Sequence, residues 1–363
     1  MRAIQGIKNW YFRNEGKVGS VALLAGFIFD NLTLRRVDLL AENLYIIALL
    51  VVAGIGIILI NLQETGKIRE KVPGRIHFWL IILLQFALGG LYSTFLVFYS
   101  RSATLATSWP FLALLLGSMI ANEVLKERYS RLSFQVSVLF LSIFAFTIFF
   151  VPVLLHQIGP AVFLLSGLIS LLLIGGFIHL LRLFTRERLR ENRRILLWSI
   201  GGIFVGINLL YFIGLIPPIP LALKEAGIYR SITHDGDFNY QAQIEPRDWR
   251  DFFRLYQPIK LTPDESVYAF SAVFSPTKLN TNIIHEWQKY DEPNENWLTS
   301  SRVELPIIGG RNGGYRTYSI RNNLDAGRWR VNVKTKSGQL LGRIKFKVEV
   351  VSIAPKLITI NLQ

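Results

Sequence analysis

Two hydrophobic rhythms divide the chain. From Val18 to Ile216 apolar residues come in long runs, and from Leu221 onward they come in short, alternating ones. The runs are Val18 to Phe29, Leu44 to Leu62, Phe78 to Tyr99, Trp109 to Leu125, Leu132 to Leu155, Gly159 to Leu181 and Ile195 to Ile216. All but the first reach roughly the 17–25 residues that a helix needs to cross a ~30 Å hydrocarbon core. They must be helices, because a backbone N–H or C=O left unpaired in lipid costs several kcal/mol. Val18 to Phe29 is shorter and resembles the apolar core of a signal peptide, but no small-residue cleavage site follows it directly. It is read as an uncleaved span reaching Leu34, with a re-entrant segment as the alternative.

Pro217, Pro218 and Pro220 end the last run. Leu221 to Ile228 and Pro246 to Leu255 are expected as brief amphipathic helices, the second burying Trp249, Phe252 and Phe253. Strands are expected at Ser266 to Phe274, Asn282 to Tyr290, Trp297 to Leu305, Tyr315 to Arg321, Gly327 to Lys336 and Gln339 to Val351. Short strands at this spacing predict an antiparallel, immunoglobulin-like sandwich. The fold class is therefore a membrane α-helical bundle of about seven transmembrane helices followed by an all-β, immunoglobulin-like antiparallel sandwich. The division runs 1–17 (basic segment), 18–216 (transmembrane domain), 217–260 (proline linker and short helices) and 261–363 (sandwich).

Charge orients the helices. The formal charge is +15, and Lys and Arg resist translocation, so loops rich in them stay cytoplasmic. Alternate segments (1–17, 62–76, 125–131, 182–194) hold seventeen Lys plus Arg, and the intervening ones (30–42, 100–108, 156–158) hold three. The N-terminus is thus expected inside and the C-terminal domain outside. Charge that flanks spans serves orientation, so no nucleic-acid partner is implied. The arginine-rich segment Arg182 to Arg194 is read as a cytoplasmic loop. Trp10, Trp79, Trp109 and Trp198 fall near span ends, where the amphipathic ring favours the interface. Gly202 and Gly206 form a small-xxx-small spacing, read with Gly89-Gly90 and Gly175-Gly176 as close helix packing within the bundle.

Two sets of residues are candidates for binding. The final hairpin turns Trp329, Val331, Val333, Ile344, Phe346, Val348 and Val350 to a core. Its other face carries Arg328, Arg330, Lys334, Lys336, Arg343, Lys345 and Lys347 against Glu349. Such a face is either a solvated edge that discourages strand pairing or a cationic surface for an anionic headgroup or acidic glycan. The second set lies at the outer membrane face: Asp30, Arg35, Arg36, Arg101 and His156, with Asp30 and Arg101 as a candidate ion pair. Deeper polar residues, Gln85, His179 and Asn208, form no proton-relay pattern, and no span carries the mid-helix proline of a discontinuous transporter helix.

Catalytic patterns are missing. The chain has no cysteine, hence neither disulfide nor thiolate chemistry. His285-Glu286 lacks a second histidine four residues on and lies in a strand pattern with Trp287 on the histidine's face. A structural or partner-contacting role fits it better than metal ligation. Gly309 to Gly314 is a glycine-rich loop between strands. No metal or cofactor is implied.

The order Ile284-His-Glu-Trp287, Val303-Glu-Leu305, Gly314-Tyr-Arg-Thr-Tyr-Ser319, Gly327-Arg-Trp-Arg-Val-Asn-Val333 and Leu341-Gly-Arg-Ile-Lys-Phe346 resembles the bacterial family known as domain of unknown function 2914. The likeness covers roughly Ile284 to Val350. Gly26-Phe-Ile-Phe-Asp30 and Phe98-Tyr-Ser-Arg-Ser-Ala103 are similar to the multi-span region that precedes that domain in some members. The resemblance implies a membrane-tethered bacterial protein and brings no activity or catalytic residue. The expected partners are membrane lipids and an envelope protein or glycan held by the sandwich. The alternative is a membrane enzyme or carrier for a lipid-linked substrate, working at the outer-face set.

Overall fold

The structure, a computed structural model, describes residues 26–34, 36–65, 74–102, 104–124, 131–235, 239–246, 254–263, 265–276, 279–308 and 314–362. Several expected features lie outside these residues: the basic segment 1–17 with Trp10, the first apolar run up to Ala25, Arg35, Trp249, Phe252 and Phe253, and most of the Gly309 to Gly314 loop. The chain forms two compact units. One comprises Met1–Arg101, Ser108–Leu155 and Pro160–Ile216, and the other Ser102–Thr107, His156–Gly159 and Pro217–Gln363.

In the first unit a helix, α1, covers residues 26–33. It is followed by α2 (Leu40–Glu64), α3 (Gly74–Ser102), α4 (Leu105–Val124), α5 (Leu132–Leu155) and α6 (Pro160–Phe212). Four of these, α2, α3, α5 and α6, are long and apolar enough to cross a membrane. The unit is assembled around α5, whose Phe140, Phe144 and Phe149 are fully buried. The Tyr99 hydroxyl on α3 donates to the α5 carbonyl of Ala145 at 2.8 Å, and Tyr92 donates to Val138 at 3.2 Å. On α2, Asn61 donates to Gln135 of α5 at 2.6 Å and accepts from Arg188 of α6 at 3.0 Å. A polar cluster buried among apolar helices in this way satisfies groups that lipid would leave unpaired.

The arginine segment is not a loop. It continues α6 with one non-helical residue, Thr185 (φ −136°, ψ 49°). No Gly or Pro occurs from Arg182 to Arg194, and Arg, Leu and Glu favour helix, so the backbone breaks only where the chain must reverse. The small residues divide. A side chain at Gly90 would meet Leu49 at 3.1 Å and one at Gly167 would meet Phe204 at 3.1 Å, which marks close helix packing. At Gly175, Gly176, Gly202 and Gly206 it would meet nothing within 4 Å among the described residues, so the expected packing within the bundle is corrected for these four.

The second unit is β-rich. Its strands are β1 (Ala222–Tyr229), β2 (Ser231–Asp235), β3 (Asn239–Ile244), β4 (Gln257–Leu261), β5 (Ser266–Phe274), β6 (Asn280–Asp291), β7 (Asn296–Ile308), β8 (Tyr315–Asn322), β9 (Gly327–Thr335), β10 (Leu340–Val350) and β11 (Ile358–Leu362). The six strands expected from alternation are β5 to β10. The helix expected at Leu221 to Ile228 is instead β1. Its helix-favouring Leu, Ala, Lys and Glu are overridden by antiparallel pairing with Tyr268 to Phe274 of β5, with a bulge between Leu223 and Glu225.

The strands form three sheets, ordered β1-β5-β8, β4-β10-β9-β6-β7 and β11-β3-β2. All pairs are antiparallel except β4 with β10. The sheet of five shares one core with β1-β5-β8. Ile228, Val267 and Ala269 meet Ile259, Trp287, Trp329, Val331, Phe346 and Val348 there. On the opposite face of β5, Phe270 and Ala272 pack with Ile232, Ala242, Ile244 and Leu362 of the small sheet. β5 is thus buried on both faces, as its sequence Ser-Val-Tyr-Ala-Phe-Ser-Ala-Val-Phe, apolar in both phases, requires.

Candidate functional site

The sheet of five turns one face to the core and the other outward. Period two places Arg328, Arg330, Asn332 and Lys334 of β9 on the outward side, while Trp329, Val331 and Val333 point in. Register puts Arg343 opposite Asn332, Lys345 opposite Arg330 and Lys347 opposite Arg328. On the other flank of β9, Glu286 and Gln288 of β6 stand opposite Asn332 and Arg330. β7 continues the rows with Arg302 beside Glu286 and Trp297 beside Tyr290. Six of the seven basic residues singled out in the sequence therefore share one face of two strands, and Lys336 follows at the turn.

Their charges are not equivalent. The Arg328 guanidinium forks onto Glu292 at 2.9 and 2.5 Å and covers the Tyr290 ring at 3.9 Å. Lys336 lies 3.5 Å from Glu304, and Lys347 lies 3.4 Å from Glu349. Lys334 pairs with Glu286, which also accepts from Arg302 Nε at 3.0 Å and from Asn332 Nδ2 at 3.1 Å. Burial alone would raise the Glu286 carboxyl, but the hydrogen bonds from Lys334 and Asn332 outweigh it and hold the group below the usual carboxylate range.

Arg330, Arg343 and Lys345 have no carboxylate partner among the described residues. The two guanidiniums are instead fixed through Nε. Arg330 Nε donates to Gln288 Oε1 at 2.7 Å, and Arg343 Nε donates to Asn332 Oδ1 at 2.6 Å. The two amides are joined, Asn332 Nδ2 donating to Gln288 Oε1 at 3.0 Å, and Gln288 Nε2 donates on to Thr299. Glu286, Gln288 and Asn332 are all buried beneath the longer side chains. Arg330 lies over the Trp297 ring at 4.1 Å, and Lys345 stands 5.8 Å from the Tyr256 ring. Burial and then the neighbouring Arg343 charge bring the Arg330 guanidinium down to about 10, and burial lowers Arg343.

This polar platform was not legible in the sequence. Glu286, Gln288 and Asn332 each read as an ordinary outward strand residue until register brings them together. The available signal was Glu286 and Gln288 at period two on one strand and Asn332 in phase with the arginines of β9.

His285 faces the opposite way. It is fully buried, its Nε2 lying 2.8 Å from Ser271 Oγ and its Nδ1 lying 2.9 Å from Ser319 Oγ, while Trp287 Nε1 donates to Ser319 Oγ at 3.0 Å. This arrangement ties β6 to β5 and β8 through the core. Desolvation lowers its pKa to about 4, so the ring is neutral near pH 7.

The outer-face set is distributed between the units. Asp30 is buried in the first, and Arg101 donates to the Asn31 carbonyl at 2.9 Å, one residue beyond Asp30. Arg36 forks onto Asp38 at 2.9 and 2.5 Å. Arg35 lies outside the described residues, and His156 is an exposed residue of the second unit with φ 54°.

Comparisons with known proteins give little beyond one domain. No curated protein matches the chain. A β-glucosidase from Listeria innocua in complex with glucose aligns at 12% identity over 26% of this chain and 15% of its own, with a TM-score of 0.19. The Pseudomonas fluorescens alkylpurine DNA glycosylase AlkC, bound to DNA containing an abasic site analog, aligns at 9% identity over 85% of this chain and 98% of its own, with a TM-score of 0.21. Likeness at these scores carries no argument. Residues 280–348, which run from β6 to β10 and carry the outward cationic face, match the family described as Protein of unknown function (DUF2914).

Proposed function

We propose that this chain is an integral inner-membrane protein of about seven spans, N-terminus inside, whose β unit is an extracytoplasmic, immunoglobulin-like sandwich that binds an anionic envelope ligand. The helices mount it and the outward face of the five-stranded sheet does the binding. The observation that carries this reading is the pair Arg330 and Arg343, held by neutral amides on a face where the other cations except Lys345 meet carboxylates. A solvated strand face has no need of such positioning. Orientation is supported by the seventeen-to-three imbalance of Lys and Arg between alternate segments.

A second reading, a membrane enzyme or carrier for a lipid-linked substrate, draws on the buried Asp30 and the adjacent Arg101–Asn31 contact. Native-membrane discs separate the two. The full chain is purified without detergent, and co-purifying lipids, glycans and proteins are identified by mass spectrometry. An anionic component held by the wild type and lost from Arg330→Glu, Lys345→Glu, Lys347→Glu supports the first reading. One kept by that variant and lost from Asp30→Asn or Arg101→Gln supports the second.

A further inference from the structure

Resting on the reading above, we infer that the outward face holds a subsite for an acidic polysaccharide, in which the Arg330 and Arg343 forks together grip one carboxylate or phosphate of a sugar chain lying across the strands. Each arginine uses Nε for its anchor, Gln288 for Arg330 and Asn332 for Arg343. That leaves the terminal N–H groups of both guanidiniums without partners among the described residues. A fork presented end-on matches an oxyanion through two parallel bonds, and a fork already held in place loses less entropy when it binds. The two arginines are diagonal neighbours across β9 and β10, with Lys345 directly opposite Arg330. Three adjacent cations without carboxylates repel one another, and an anion between them removes that cost.

The shape of the face selects the ligand. Trp297 on β7 and Tyr256 just before β4 flank the cations at opposite edges of the sheet. Four strand spacings of roughly 4.8 Å separate those edges, giving a shelf of about 19 Å. Rigid amphipathic rings at the two ends of a row of hydrogen-bond donors suit an extended polar chain. A lipid surface would call for insertable aliphatic side chains. The large exposed ones nearby, Leu298 on β7 and Val350 on β10, alternate to the other side of the sheet; on the outward face the exposed Ile308 stands at the far end of β7, opposite Asn280 and eight residues along β6 from the Gln288 row, outside the subsite.

The test uses the full chain in discs of zwitterionic phosphatidylcholine, titrated with an oligo-uronate and with a neutral dextran oligosaccharide. A separate arm uses discs or vesicles containing phosphatidylglycerol. The wild type is expected to bind the oligo-uronate and ignore the dextran. Arg330→Gln with Arg343→Gln should weaken binding at least tenfold. Gln288→Leu and Arg330→Lys should each weaken it several-fold although the charge is unchanged, because each releases the Arg330 anchor or fork. Lys336→Gln, which removes a charge outside the subsite, should change it less than twofold. If all four variants weaken binding only in step with their charge, the subsite is wrong while an anion-binding face stands. Preference for phosphatidylglycerol over oligo-uronate also overturns the subsite, in favour of a lipid surface. If no anion of any kind binds, both the subsite and the function proposed above fail.

Discussion

The rings of Phe163 and Tyr211 stack 3.6 Å apart and 9° from parallel. Both belong to α6, and 48 residues along one straight helix would separate them by about 72 Å at ~1.5 Å per residue. The helix must therefore fold back on itself. Gly167 against Phe204 repeats the antiparallel contact further in, about one turn on from Phe163 and two before Tyr211, and Thr185 is the break between the halves. Each half is about 25 residues, and ~20 suffice for a span.

The reversal predicts a cross-link. Because the chain has no cysteine, Phe163→Cys with Tyr211→Cys gives a clean pair for a short bis-maleimide. Trypsin cleaves in the arginine segment between them. The two fragments should migrate together after cross-linking and apart without it. Separate migration in both cases would mean that the halves are not packed on each other.

Burial of His285 makes the sheet core acid-sensitive. Its folded-state pKa of about 4 lies below the 6.5 of a free imidazole. The stability it contributes is full above pH 6.5 and falls as pH drops toward 4, by about 3 kcal/mol on a linkage estimate. Protection of β6 amides in the full chain, corrected for the intrinsic exchange rate at each pH, should fall through that window, and His285→Asn should flatten the dependence. An unchanged pH profile in the variant would place the sensitivity elsewhere.

Glu286 anchors the outward platform. Replacing it with Gln removes the charge that Lys334 and Arg302 meet, at a cost of about 1–3 kcal/mol for hydrogen bonds to a charged group. Because its pKa is depressed, that stabilisation is present above the ordinary carboxylate value of 4.5 and disappears as pH falls below it. Thermal unfolding of wild type and Glu286→Gln should therefore differ most at pH 7 and draw together as pH falls through the depressed carboxyl range below 4.5. A constant difference would show that the carboxylate charge is not what matters.

A backbone contact sets a third stability test. Gly314 has φ 88°, and a Cβ there would lie 2.9 Å from the Val273 carbonyl carbon and 3.0 Å from its nitrogen. Backbone cannot yield as a flexible side chain does, so Gly314→Ala should cost more than ~2 kcal/mol. Gly342→Ala meets only the end of Leu223 and should cost less. Equal melting temperatures for the two variants would contradict this account.

Sequence alone went far where periodicity is long and failed where partners are distant. β6 to β10 are legible from alternation and β5 from its apolar run. Trp329, Val331, Val333, Phe346 and Val348 form the core expected of the last hairpin, whereas Val350, expected there, is 56% exposed at the strand's end. β1 reads as helix because Leu, Ala, Lys and Glu favour one locally; only pairing with β5 decides against it. β2, β3 and β11 are short and polar, and β3 meets β11 across more than a hundred residues, Ile244 opposite Ile358. The basic face was legible by parity. Its acids were not, since Glu286 and Glu304 come from other strands of the sheet and Glu292 from the turn between β6 and β7, and neither were the amides that hold Arg330 and Arg343.

Everything proposed here requires the β unit to stand outside the cell and the arginine segment inside. Lys336→Cys and Glu191→Cys, made separately in the cysteine-free chain, are treated with a membrane-impermeant maleimide on intact spheroplasts and again after lysis. The account predicts that Lys336→Cys labels on intact spheroplasts and Glu191→Cys only after lysis. The reverse pattern would contradict it.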